Sequence, residues 1–200
     1  IKKGIYKGPL HGIPYGLKDL FAVKGYKTTW GSTPYKDQVI DEDSYVYTQL
    51  KNAGAVLCAK LSLGALAYNN KWFGGETKNP WNLKQGSSGS SAGSAASVVA
   101  GLLPFTIGTE TLGSIVSPST RCGATGLRPT FGSISRSGAM VLCWSLDKAG
   151  PICRSAEDCA VVFNYIHGTD GKDYGSVDQN FNYDGVVDFK KLKVAYAENY

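Results

Sequence analysis

Gly86-Ser87-Ser88-Gly89-Ser90-Ser91-Ala92-Gly93-Ser94-Ala95-Ala96-Ser97 is a run of twelve residues drawn only from Gly, Ser and Ala. An apolar run follows, Val98-Val99-Ala100-Gly101-Leu102-Leu103-Pro104-Phe105. The stretch closes on Gly108-Thr109-Glu110-Thr111-Leu112-Gly113-Ser114-Ile115-Val116-Ser117-Pro118. A Gly/Ser tract by itself describes a flexible linker. A linker has no use for a core strand pinned to its end, so the stretch reads instead as a serine-lined site held against a buried sheet. The small side chains leading into Ser94 to Leu103 predict a helix that packs very close to its neighbours and ends at Pro104. Phe105-Thr106-Ile107 predicts a strand, and Ser117-Pro118 predicts the N-cap and first position of another helix.

Working outward, Gly8 to Pro14 is a turn-rich entry into Tyr15-Gly16-Leu17-Lys18-Asp19-Leu20-Phe21, a predicted strand with Lys18 near its end. Asp41-Glu42-Asp43-Ser44 opens a helix in which Val46, Leu50 and Ala53 share a face and Gly54 is the stop. Ala55 to Ala59 is a short apolar strand, and the order helix, glycine, buried strand is that of an α/β sheet. Residues 68 to 88 and Gly123 to Gly138 read as irregular. Ser155-Ala156-Glu157-Asp158 opens a last helix with Cys159, Val162, Phe163 and Ile166 inward. Leu192 to Tyr196 reads as the start of a strand.

Two hundred residues can bury one good core. The net charge of +5 is scattered, and the cluster Lys190-Lys191-Leu192-Lys193 reads as a solvated face. With no basic stripe or aromatic platform, no direct contact with nucleic acid is expected. Five cysteines without a C-x-x-C pair read as free, mostly buried thiols, which suits a reducing compartment and a cytoplasmic location. No run reaches the ~20 apolar residues of a membrane span, so no membrane partner is expected. Two histidines and no His/Cys cluster argue against a metal, and no cofactor is expected.

A serine hydroxyl needs a base to act as a nucleophile at neutral pH. His11 sits in a Gly/Pro turn and His167 follows a helix, so neither is a convincing triad partner. Gly89-Ser90-Ser91-Ala92-Gly93 matches G-x-S-x-G, but the polar, Pro-containing residues before it lack the strand that such an elbow requires. A phosphate-binding reading fails because the tract has no Gly-Lys-Ser/Thr ending. A lysine can replace histidine if burial leaves it neutral, and Lys18 lies in a strand-like apolar run.

Gly89-Ser90-Ser91-Ala92-Gly93-Ser94-Ala95 and Gly108-Thr109-Glu110-Thr111-Leu112-Gly113-Ser114-Ile115 together resemble the paired motifs of the amidase signature family. Their spacing of 24 residues from Ser90 to Ser114 is also that family's, and Gly12-Ile13-Pro14-x-x-x-Lys18-Asp19 resembles its lysine motif. The resemblance covers roughly residues 8 to 165. It implies an α/β fold with a mixed central β-sheet flanked by helices, and an amide-bond hydrolase working through an acyl-enzyme. Carried over, Ser114 is the nucleophile, Ser90 the bridging serine after a cis peptide bond, and Lys18 the base. Thr111, Leu112, Gly113 and Ser114 would aim backbone N–H groups at the oxyanion. The partner implied is a small-molecule amide.

Departures from the family pattern are Glu110 for Asp, Leu112 for Gly, Val116 for Arg and Ala92 for Gly. Lys60 matches a different position of the family and reads as structural. Family domains are much longer, so residues 1–200 read as a partial amidase domain, the N-terminal catalytic half without lead-in helices or C-terminal half. Two alternatives stay open: a non-catalytic fragment or scaffold, and the glutaminase component of a tRNA amidotransferase. Ser145-Leu146-Asp147-Lys148-Ala149-Gly150-Pro151 resembles members of all these kinds.

Overall fold

The computed structural model describes residues 4–183, 185, 186, 188–196 and 198. In chain order the strands are β1 (Pro14–Lys18), β2 (Val56–Leu61), β3 (Lys71–Trp72), β4 (Gly75–Glu76), β5 (Lys78–Asn79), β6 (Asn82–Gly86), β7 (Phe105–Glu110), β8 (Thr125–Gly126) and β9 (Lys148–Cys153). The helices are α1 (Tyr45–Asn52), α2 (Ala92–Val99), α3 (Val116–Cys122) and α4 (Ala156–Ile166). The main sheet runs β2-β1-β7-β9-β8. β1 is parallel to β2 and β7, whereas β9 is antiparallel to β7 and β8, so the sheet is mixed.

Side chains alternate across a strand, and that alternation sorts the core into two layers. Tyr15, Leu17, Phe105, Ile107 and Ala149 pack on one face with Val46 and Leu50 of α1 and Val162 and Ile166 of α4. The Tyr15 and Phe105 rings stack there at 5.3 Å. On the other face Ile152 packs with Ala95 and Val98 of α2 and with Ile115 and Cys122 around α3. Lys18 belongs to this second face, by parity with Gly16.

The predicted elements form, with shifts that have local causes. α2 begins two residues before Ser94 and ends at Val99, short of Pro104. Gly101 (φ +74°) closes it: Gly101 N donates to Val98 O and Leu102 N to Ser97 O, a Schellman arrangement. α3 starts at Val116, so Ser117 and Pro118 lie inside its first turn and are not N-cap and N1. The cap comes instead from β7, because Glu110 Oε2 accepts from Ile115 N (2.8 Å) and Val116 N (2.9 Å). Ser155 caps α4 as expected, accepting from Asp158 N. Ser44 stands at the N-cap of α1, but its buried hydroxyl has no hydrogen-bond partner among the described residues.

Neither stretch read as irregular is wholly so: 68–88 holds the hairpins β3–β4 and β5–β6, and 123–138 holds β8, which pairs with β9. β9 carries a proline inside the sheet. Pro151 is tolerated there because its carbonyl accepts from Leu127 N, so its missing N–H also points away from β7. Residues 192–196 form no strand: Leu192, Val194 and Tyr196 are exposed, with no pairing strand among the described residues. All five cysteines are free. Cys122, Cys153 and Cys159 are buried, but Cys58 is exposed because its side of edge strand β2 faces outward. Among the described residues no helix is long and apolar enough to cross a membrane.

Candidate active site

Lys18 is the last residue of β1 and is wholly buried, 0% exposed. Its ammonium loses its water there, and burial brings its pKa down from 10.5 to about 7, against the opposing charges of Asp147 and Glu110. Around Nζ lie Ser90 Oγ at 2.8 Å, Ser91 Oγ at 3.0 Å, Thr109 Oγ1 at 2.8 Å and Thr109 O at 3.3 Å. Every one of these partners is an uncharged oxygen. Lys18 and Ser90, distant in the sequence, are thus direct neighbours, and so is Thr109, which no motif singles out.

The peptide bond Gly89–Ser90 is cis. The Ser90 carbonyl accepts from Gly64 N (3.1 Å), and Ser91 N donates to Ser114 O (3.1 Å). That second bond joins the two serine motifs through their backbones, bringing Ser114 alongside Ser90-Ser91. Among the described residues no side-chain hydrogen bond engages the Ser114 hydroxyl, which is partly exposed. Ser91 is occupied: its hydroxyl accepts from Thr109 N (3.1 Å) and donates to Thr109 O (3.0 Å). Ser94 donates to Ile107 O (3.2 Å). Both serve the packing of α2 on β7, as expected of serines that cap and brace backbone.

The turn from Thr111 to Ser114 connects β7 to α3. Among the described residues none of its four N–H groups donates a hydrogen bond, in contrast to Ile115 and Val116, which Glu110 satisfies. Gly113 takes the left-handed conformation (φ +91°) and Leu112 does not, so a side chain at 112 is compatible with the turn. Leu112 is 83% exposed. Ala92 likewise keeps a negative φ as the first residue of α2.

Asp19, next to the buried amine, is neutralised elsewhere. Lys60 Nζ donates to Asp19 Oδ1 at 2.6 Å and to Thr28 Oγ1 at 3.0 Å, while Thr29 N donates to Asp19 Oδ2 at 2.8 Å. Lys60 is thus a pairing residue, in keeping with its structural reading. Among the described residues neither histidine hydrogen-bonds a serine: His11 Nδ1 accepts from Lys7 N, and His167 Nδ1 lies 3.0 Å from Asn164 O.

The Amidase family model matches residues 1–200. The A-type subunit of the glutamyl-tRNA(Gln) amidotransferase of Methylococcus capsulatus is 44% identical over 175 residues, covering 86% of this chain and 36% of that protein. Its counterpart in Acinetobacter baumannii is 46% identical over 171 residues, covering 84% and 35%. Among solved structures, the peptide amidase of Stenotrophomonas maltophilia matches with a TM-score of 0.84 at 38% identity, over 91% of this chain and 39% of that one. The corresponding amidotransferase subunit of Thermotoga maritima matches with a TM-score of 0.82 at 34% identity, over 86% and 40%. The chain spans little more than a third of the length of the curated relatives it matches.

Proposed function

This chain belongs to the amidase family, and on that premise we propose that it carries the catalytic groups of an amide-bond hydrolase, with Ser114 as nucleophile, Ser90 as proton bridge and Lys18 as base. The observation that carries the reading is the wholly buried amine of Lys18, 2.8 Å from Ser90 Oγ. A neutral amine has two N–H donors and one lone pair. Ser91 has committed its own proton to Thr109 O, so it can only accept from Lys18. With the other N–H directed at Thr109 Oγ1, the lone pair is left for the Ser90 hydroxyl.

As Ser114 Oγ attacks the carbonyl carbon, its proton passes to Ser90 Oγ and that of Ser90 passes to Lys18 Nζ. The carbonyl oxygen becomes an oxyanion facing the unengaged N–H groups of the 111–114 turn. Each such donor is worth roughly 3 kcal/mol of barrier. Collapse of the tetrahedral species breaks the C–N bond, and the reverse relay gives the departing amine its proton. Water then attacks the ester of Ser114 by the same route. Residues 1–200 would thus form a partial amidase domain holding all three groups, and the substrate is read as a small-molecule amide.

A second reading, the glutamine-hydrolysing component of a tRNA-dependent amidotransferase, is supported by the 44% and 46% identity to such proteins. Incubating the complete protein with glutamine, with and without glutamyl-tRNA and ATP, against a panel of simple amides, esters and carbamates separates the two. The shared chemistry is tested by a fluorophosphonate, which labels an activated serine. Ser114→Ala should abolish labelling while the folded circular dichroism signal is kept. Labelling of that variant at the full rate would reject Ser114 as nucleophile.

A further inference from the structure

Asp147 is a buried carboxylate, 7% exposed, that the relay described above does not use. Its Oδ1 accepts from Thr111 Oγ1, and its Oδ2 accepts from Leu142 N at 2.6 Å. One carboxylate therefore joins the first residue of the 111–114 turn to the loop 142–147. The next residue adds to the hold, since Lys148 Nζ donates to Thr111 O at 3.2 Å. The loop itself is anchored from behind. Arg136 Nη1 donates to Trp144 O (2.7 Å) and Asp147 O (3.3 Å), and Asp173 grips the guanidinium through Nε (2.7 Å) and Nη2 (2.8 Å).

Position makes this carboxylate informative. Its charge, like that of Glu110, favours the ammonium form of Lys18 and so opposes a neutral base. Asp19 is bound by Lys60, and Arg128 Nη1 lies 3.8 Å from Glu110, whereas Lys148 donates to the uncharged Thr111 carbonyl. A negative charge that works against the base calls for an offsetting use, and its hydrogen bonds point to one. Glu110 fixes the far end of the turn through Ile115 N and Val116 N, and Asp147 fixes the near end through Thr111.

We propose that Asp147 is a positioning residue, whose carboxylate ties Thr111 to the 142–147 loop and so fixes where the free N–H groups of residues 111–114 point. The inference rests on the reading of that turn as an oxyanion cradle. It assigns Asp147 no proton transfer and no contact with substrate. A hydroxyl-to-carboxylate bond is charge-assisted and short in reach, so it holds the turn more tightly than a neutral pair could.

The test uses the complete protein and the second-order rate of fluorophosphonate labelling as a function of pH. Thr111→Val and Asp147→Asn should each slow labelling by about tenfold to a hundredfold. Because both break one connection, the double variant should be little slower than the slower single variant. Asp147→Asn also removes a charge that favours ammonium, so the midpoint of its acidic limb should move to lower pH, whereas Thr111→Val keeps that charge and its midpoint. Thr111→Ser restores a hydroxyl and should recover most of the rate lost in Thr111→Val, which keeps the test decisive if Asp147→Asn does not fold. Labelling of Thr111→Val at the wild-type rate, or single effects that multiply in the double variant, would overturn the proposal. Ser114→Ala measured alongside separates failures: if it still labels fully, the reading of the turn has failed, and if it does not, only the role of Asp147 is in question.

Discussion

A lysine can accept a proton near neutral pH only if its ammonium form has been made costly. Lys18 meets that condition by burial: among the described residues its Nζ hydrogen-bonds only hydroxyl and carbonyl oxygens, and its pKa is brought down to about 7. A base must be deprotonated to act, so labelling of Ser114 should rise ~tenfold per pH unit below that value and level off above it. A profile flat from about pH 5 to 8 would rule out Lys18 as the titrating base. Lys18→Arg replaces an amine that can be neutral with a guanidinium that stays protonated, so labelling should fall by about a hundredfold to ten-thousandfold. Full activity in that variant would point to another base. The residue types at this scale were legible in the sequence: two serine motifs, and a lysine at the end of an apolar strand. Thr109 and Asp147 were not legible as partners, because nothing local distinguishes a Thr or Asp beside an amine from one in a turn.

Among the elements, α2 decides the geometry of the site, because Ser90 and Ser91 immediately precede it. Its small residues let it lie against the end of β2: a Cβ on Gly93 would stand 2.6 Å from Ser62 Oγ and 2.8 Å from Ser62 O. The Gly93 N–H donates to that same carbonyl at 2.8 Å. Gly93→Ala must therefore push the helix off the strand, at a cost of about 1–3 kcal/mol. Urea denaturation should register that loss and fluorophosphonate labelling should slow with it, since both serines move with the helix. Unchanged stability and labelling would mean that the contact is not limiting. The reason for the Gly/Ser/Ala run is thus close approach, and the run's composition alone, which equally describes a linker, could not supply it. The start of α3 differs from its sequence expectation for a related reason: its cap is a carboxylate from the preceding strand, not the serine nearest in sequence.

At the scale of the whole molecule, the polar stretch after α4 is tied to the body by the buried pair of Arg136 and Asp173, whose guanidinium also lies 5.0 Å from the Phe131 ring centre and 5.3 Å from that of Trp144. The bond from Arg136 holds the Asp173 carboxyl down at about 2, against an ordinary 3.8. A depressed carboxyl stabilises the fold above its ordinary value, and that contribution is lost as pH falls from about 4 toward about 2. Asp173→Asn should cost about 3–5 kcal/mol at neutral pH by leaving the guanidinium buried and unpaired, and should flatten this acid-side fall in melting temperature. A variant as stable as the parent, with the same acid profile, would remove the pair from that role. What the sequence alone determined is the α/β class, the order of the principal helices and strands, and the residue types of a candidate serine–lysine site, because periodicity, glycine punctuation and spaced motifs are properties of neighbours along the chain. What only the tertiary structure decided is the partnership of Lys18 with Ser90 and Thr109, the capping of α3 by Glu110, and the bridge from Asp147 to Thr111. Those contacts join residues from different elements, and only packing fixes the distances and burial on which they depend.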